Sequence, residues 1–116
     1  MNLADLIDYC MSKKGAEETT PFGPDVLVYK VCNKVFAITS PDEFPTRVNL
    51  KCEPDKALQL RDEYESVIPG YHMNKKHWNT LILDDELSEI LVKKLVDHSY
   101  ELVVAGLTKR ELAFLR

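Results

Sequence analysis

Arg47-Val-Asn-Leu-Lys-Cys-Glu-Pro54 is the stretch that decides the fold class. Its first six residues alternate polar and apolar without a break, the period-2 signature of a strand with one buried face. Val48, Leu50 and Cys52 are expected to point inward, and Arg47, Asn49 and Lys51 outward. Pro54 then suits the first position of a helix, where its missing N–H has no intrahelical partner to lose. Ala57, Leu58, Leu60 and Tyr64 supply the apolar side of a helix running to about Tyr64. The switch from strand to helical spacing within a few residues mixes both element types in one unit.

Upstream, Val26 to Val31 and Lys34 to Thr39 read as strands joined by a turn at Cys32-Asn33. Ser40 to Pro45 reads as a loop, as does Ala16 to Gly23, where Pro21 and Pro24 bracket Phe22-Gly23. The chain opens with a helix from Leu3 to about Lys13, capped by Asn2 with Asp5 in its first turn. Leu3, Leu6, Ile7, Cys10 and Met11 form its buried stripe, and Gly15 stops it.

Downstream, Pro69-Gly70 signals a turn, and Trp78 to Leu83 alternates as a strand with Trp78, Thr80 and Ile82 on one side. A shorter strand near Tyr71 to Met73 is expected to pair beside it. Asp84 or Asp85 is expected to cap a long helix with Leu87, Leu91, Leu95, His98 and Leu102 on its inner face, widened by Ile90 and Val96. Gly106 ends it, and Lys109 to Arg116 forms a short terminal helix. The order α-β-β-β-α-β-β-α describes a single α+β domain over residues 1–116, an antiparallel sheet flanked by helices.

Composition supports one self-sufficient core. In 116 residues, 45% are hydrophobic and 29% charged, a globular balance that needs no disulfide or metal staple. The formal net charge of −4 argues against coating nucleic acid by bulk charge, so any such contact must rest on a local patch. Cys10, Cys32 and Cys52 are odd in number and include no C-x-x-C pair, and they are expected to be reduced structural thiols. No basic leader precedes an apolar run at the N-terminus, and no apolar run reaches the roughly 18 residues of a membrane span. A cytoplasmic location without membrane contact is the expectation.

One local feature departs from this acidic background. Val67-Ile-Pro-Gly-Tyr-His-Met-Asn-Lys-Lys-His-Trp-Asn-Thr80 holds Lys75, Lys76, His72, His77 and the single tryptophan, Trp78, and no acid falls between Glu65 and Asp84. Two ammonium groups can neutralise phosphates, an indole or Tyr71 can stack on an unpaired base, and the imidazoles can donate hydrogen bonds. Arg47 and Lys51, outward on the neighbouring strand, would extend the same positive surface if the two strands adjoin. The plainer reading has Trp78 anchoring a strand start and the lysines keeping a loop soluble. Four cations limit the affinity to weak and salt-dependent binding, and base contacts would fall to Asn49, Asn74 or Asn79. Phe22-Gly23 reads as a structural turn ahead of the tip of a wing or a lid. His98 reads as a satisfied core or boundary histidine ahead of a ligand, and Asp97 and Ser99 as caps of a helix kink.

No P-loop, dinucleotide fingerprint or zinc spacing is present, so no catalytic residue, metal ligand or cofactor is assigned. A binding protein is the expectation, with DNA as the leading ligand and a protein partner as the rival. A small-molecule or nucleotide site ranks below both.

Pro21-Phe-Gly-Pro-Asp25, Arg47-Val-Asn-Leu-Lys51, Ile68-Pro-Gly-Tyr-His-Met-Asn-Lys-Lys-His-Trp-Asn79, Asp97-His-Ser-Tyr100 and Val103-Val-Ala-Gly106 together resemble the MmcQ/YjbR family, small bacterial proteins of DUF419 type. The resemblance spans nearly the whole chain. It implies a fold similar to secretion-chaperone-like and frataxin-like arrangements, and a "double wing" surface for which the family is commonly labelled DNA-binding. It carries no catalytic residues over to this chain.

Overall fold

A computed structural model describes residues 1–116. In chain order the elements are α1 (Leu3–Met11), β1 (Ala16–Thr19), β2 (Leu27–Val31), β3 (Lys34–Thr39), β4 (Arg47–Lys51), α2 (Pro54–Glu63), β5 (Val67–Pro69), β6 (Trp78–Ile82), α3 (Glu89–Ala105) and α4 (Lys109–Leu115). Every strand pairing is antiparallel, in one sheet ordered β1-β2-β3-β4-β6-β5. The α+β class and the antiparallel sheet agree with the sequence reading. No helix is long and apolar enough to cross a membrane.

Local chemistry explains most boundaries. Asn2 accepts from the Asp5 amide at 2.8 Å to start α1. Glu53 accepts from the amides of Asp55 and Lys56 to start α2, with Pro54 in its first turn. Cys32 and Asn33 both take positive φ, the conformation a two-residue hairpin turn demands. A bulge between β2 and β3 follows Tyr29 and lets both Phe36 and Ala37 bury completely.

Three expectations need correction. Ala16–Thr19, read as loop, is an edge strand paired with β2 from Ala16↔Val31 to Thr19↔Val28. Its acidic sequence has poor strand propensity, but Thr19 donates to the Val28 carbonyl and Tyr29 donates to Glu18 across the pair. The short strand beside β6 is Val67–Pro69, and Tyr71–Met73 is a turn. The cap of α3 is Ser88, which accepts from the Leu91 amide, because Asp84 and Glu86 are engaged by Ser66 instead.

The buried side of α3 is also rotated by about one residue from the expected stripe. Val92, Leu95, Val96, Ser99 and Val103 are buried, whereas Leu91, His98 and Leu102 are half-buried and Ile90 is exposed. Apolar residues cover much of this helix, so periodicity alone does not select the face. Docking does.

The docking is made by four consecutive residues, Asp97-His-Ser-Tyr100. Asp97 accepts from Tyr9 at 2.5 Å and pairs with Lys13, tying α3 to α1. His98 Nε2 accepts from the Glu53 amide at 3.1 Å, at the head of α2. Ser99 Oγ donates to the Phe36 carbonyl at 2.6 Å and accepts from the Lys51 amide at 2.9 Å, filling the rung next to Ala37↔Leu50 between β3 and β4. Tyr100 donates to the Lys14 carbonyl and sets its ring edge-on to Phe36. The helix is unbroken through this segment, and Asp97 and Ser99 spend their side chains on ties to other elements rather than on caps of a kink.

The helices bury against one face of the sheet. Leu6 and Cys10 of α1, Ala57 and Leu60 of α2, and Val92, Leu95 and Val96 of α3 share one cluster with Val48, Leu50, Val67 and Leu81. Cys10 and Cys52 lie inside it as free thiols, and burial pushes Cys10 up to about 12. Cys32 is half-buried and also free. The opposite sheet face carries no helix, and only loops rise over it.

Candidate nucleic-acid interface

The open face is set by the register of β4 against β6. Arg47↔Ile82, Asn49↔Thr80 and Lys51↔Trp78 are opposite pairs, so all six residues share the side away from the core. This is the arrangement that strand alternation predicts. Ile38 of β3 lies opposite Asn49 on the same side.

Two connections flank this face. The first joins β1 to β2 and carries Phe22, 74% exposed, beside Gly23 at positive φ. The second runs from Gly70 to His77 between β5 and β6. Its base is tight: Gly70 donates to the Trp78 carbonyl at 2.9 Å, and a Cβ there would lie 2.8 Å from Trp78 Cβ. Only glycine allows that approach. Asn74 Oδ1 accepts from the amides of Lys76 and His77, closing a side-chain turn. Thr80 Oγ1 accepts from the Tyr71 amide at 3.0 Å, and Asn49 donates to the Tyr71 carbonyl at 3.4 Å, which folds the loop back over the sheet.

Arg61 on α2 holds the same loop from the side. Its Nε donates to Asn79 Oδ1 at 2.6 Å, and its Nη2 donates to the carbonyls of Trp78 and Lys75. Nothing in its helical sequence context marks it for this role, because its partners lie 14 to 18 residues downstream.

Between the two connections lies a concavity of about 630 Å³. Seven of its eleven lining residues are hydrophobic, so it is a greasy groove rather than a polar cleft. Val35, Ile38, Asn49 and Trp78 line it from the sheet, Phe22 and Val26 from the first connection, Tyr71, His72 and Met73 from the second, and Ser40 and Glu43 from the loop between β3 and β4. The rings of Tyr71 and His72 pack with centroids 4.0 Å apart, and His72 is held at φ +58°. A bulky residue in that region is strained and persists only where its surroundings fix it.

The predicted cations separate into two groups. Lys75 and Lys76 sit on the second connection and Lys51 lies opposite Trp78, and none of the three makes an ion pair. Lys75 Nζ donates to the Gly70 carbonyl at 3.1 Å. Arg47 stands at the far end of β4, four residue steps or roughly 13 Å away, and pairs with Glu43 at 3.6 Å. Strands β4 and β6 adjoin as the expectation requires, but Arg47 is set apart from the three lysines by its carboxylate partner.

The remaining candidates also sort themselves. Tyr71, His72 and Trp78 line the groove, whereas His77 does not. The His77 carbonyl accepts from the Cys52 amide at 2.8 Å, a strand-end contact. Asn79 is buried and donates to the Ala57 carbonyl, so it braces α2 and is not free to read a base. The Asn74 side-chain oxygen is occupied in its turn, and Asn49 is the asparagine that reaches the groove. The groove's apolar members, Val35, Ile38 and Met73, escape sequence reading because each looks like an ordinary core residue. Phe22 is the exception, since its paired prolines single out its loop.

Known proteins resemble this chain in sequence, and two solved structures resemble it in fold. The YjbR family model matches residues 11–102. The uncharacterised protein YbdF of Escherichia coli O157:H7 is 44% identical over 91 residues, 78% of this chain and 75% of YbdF. The uncharacterised protein YjbR of Escherichia coli K12 is 36% identical over 104 residues, 90% of this chain and 88% of that protein. A crystal structure of a Deinococcus radiodurans protein with a DUF419 domain matches at TM-score 0.92 and 37% identity, over 98% of this chain and 87% of that one. A Pseudomonas syringae crystal structure matches at TM-score 0.76 and 27% identity, over 88% and 98% of the respective chains.

Proposed function

The chain belongs to the YjbR family, and from that premise we propose that it is a weak nucleic-acid-binding protein. The observation that carries the reading is the trio Lys51, Lys75 and Lys76 beside Trp78, free of carboxylate partners in a chain of net charge −4. Unpaired ammonium groups on a loop are available to phosphate without first breaking an internal ion pair. Arg47, held by Glu43, adds less. Asn49, the amide in the groove, is engaged by Tyr71 and Thr80 and serves to shape the site.

About three phosphate contacts give a salt slope of roughly −2 to −3 and an affinity that fades near physiological salt. Fluorescence anisotropy with labelled DNA across a potassium chloride series tests this. Lys75→Ala/Lys76→Ala is expected to weaken binding at low salt by at least ten-fold and to flatten the slope by between one and two units. Equal binding by parent and double variant would remove the assignment.

A further inference from the structure

We infer that the groove between the two connections seats unpaired nucleobases, so that the preferred ligand is a single strand and not a duplex. This rests on the nucleic-acid reading above and adds to it the form of the ligand.

The groove's own chemistry points there. A duplex turns its phosphates outward and keeps its base faces stacked inside, so it offers only sugar edges and thymine methyls to Val35, Ile38, Met73 and Phe22. An unpaired base is flat, aromatic and apolar on both faces, and it matches such a lining. Phe22 and Tyr71 are 74% and 61% exposed, on opposite connections, with aromatic surface uncovered. Stacking on such rings strengthens binding by roughly five-fold to a hundred-fold per base and tolerates any sequence. The volume of about 630 Å³ falls inside the range of roughly 300–1,000 Å³ typical of sites for organic ring systems.

Charge complementarity selects this occupant over an apolar peptide. Lys75 and Lys76 stand on the same connection as Tyr71, His72 and Met73, and Lys51 lies opposite Trp78. Bases in the groove would therefore bring their backbone phosphates past unpaired ammonium groups. Glu43, which also lines the groove, is paired with Arg47, so that side adds little net charge of either sign. Phosphate attraction alone favours the duplex, whose charge density is higher. A preference for single strand thus isolates the contribution of the groove.

The test compares a labelled mixed-sequence 12-nucleotide strand with its duplex, by anisotropy on the full chain at low salt. Emission of Trp78, the single tryptophan, is followed in parallel. The expected result is at least ten-fold tighter binding of the single strand, with quenching of Trp78. Phe22→Ala/Tyr71→Ala should lose about ten-fold for the single strand and leave duplex binding and circular dichroism unchanged. Equal or tighter duplex binding, insensitive to that double variant but weakened by Lys75→Ala/Lys76→Ala, would overturn the inference and leave the nucleic-acid reading standing. If neither nucleic acid binds, while a labelled acidic amphipathic peptide binds and depends on Phe22 and Tyr71, both readings fall and the groove is a protein-docking site.

Discussion

Ser99 is the residue whose removal should disturb the fold most for its size. Its hydroxyl satisfies the Phe36 carbonyl and the Lys51 amide where β3 and β4 stop bonding to each other. Ser99→Ala leaves two backbone groups without a partner at a fully buried position, a loss of about 2 kcal/mol, readable as a lower urea midpoint with an unchanged slope. His98 gives a second prediction with a sign. Burial, aided by Lys56, holds its imidazole below the ordinary histidine range, and neutral Nε2 accepts from the Glu53 amide. The unfolded chain therefore binds the proton more readily. The stabilisation is fully present above the unfolded value of about 6.5 and is lost as pH falls from there through the lower folded value. His98→Gln, which keeps an acceptor without the titration, should flatten the stability profile across that window. Asp97 does not confuse the test. Burial opposes its charge, but hydrogen bonds from Lys13 and Tyr9 outweigh it and hold the carboxyl below the usual range, so its own loss falls at more acidic pH.

Among the elements, α2 has a function its sequence conceals. Its Arg61 grips the carbonyls of Lys75 and Trp78 and the side chain of Asn79, so the helix positions the loop that bears the lysines. Arg61→Ala should lower stability by about 1–3 kcal/mol and weaken DNA binding several-fold. The salt slope should stay near the parent value, because the phosphate-contacting groups remain. The lysine double variant has the reverse signature, with a flatter slope and near-parent stability, and chemical denaturation beside the salt series separates the two. Helix α3 shows how far periodicity reaches. Its existence and terminal Gly106 are legible, yet its first turn and its buried face are not, because Leu91, Val92, Leu95, Val96 and Val103 offer several apolar stripes. Ser99 and Asp97 select one of them through partners far away in sequence. Strand β1 is the opposite case, since Glu17 and Glu18 argue against a strand and only the edge of β2 makes them one.

Taken whole, the molecule is asymmetric: helices and core on one face of the sheet, a mainly apolar groove walled by loops on the other. The sequence by itself determined what depends on neighbours along the chain. Alternation over Arg47–Cys52 and Trp78–Ile82 assigned their faces, Asn2 and Pro54 started helices, Cys32-Asn33 turned a hairpin, and the lysine-bearing loop stood out against an acidic background. Only the tertiary structure decided which of these features meet. Phe22 and Trp78 come to one groove because two loops fold over the same sheet face. Arg47 leaves the cation group because the length of β4 and the nearness of Glu43 remove it. Short-range patterns report how each residue treats its immediate neighbours. Convergence of residues dozens of positions apart is set by strand order, register and helix docking, which depend on the sum of long-range contacts.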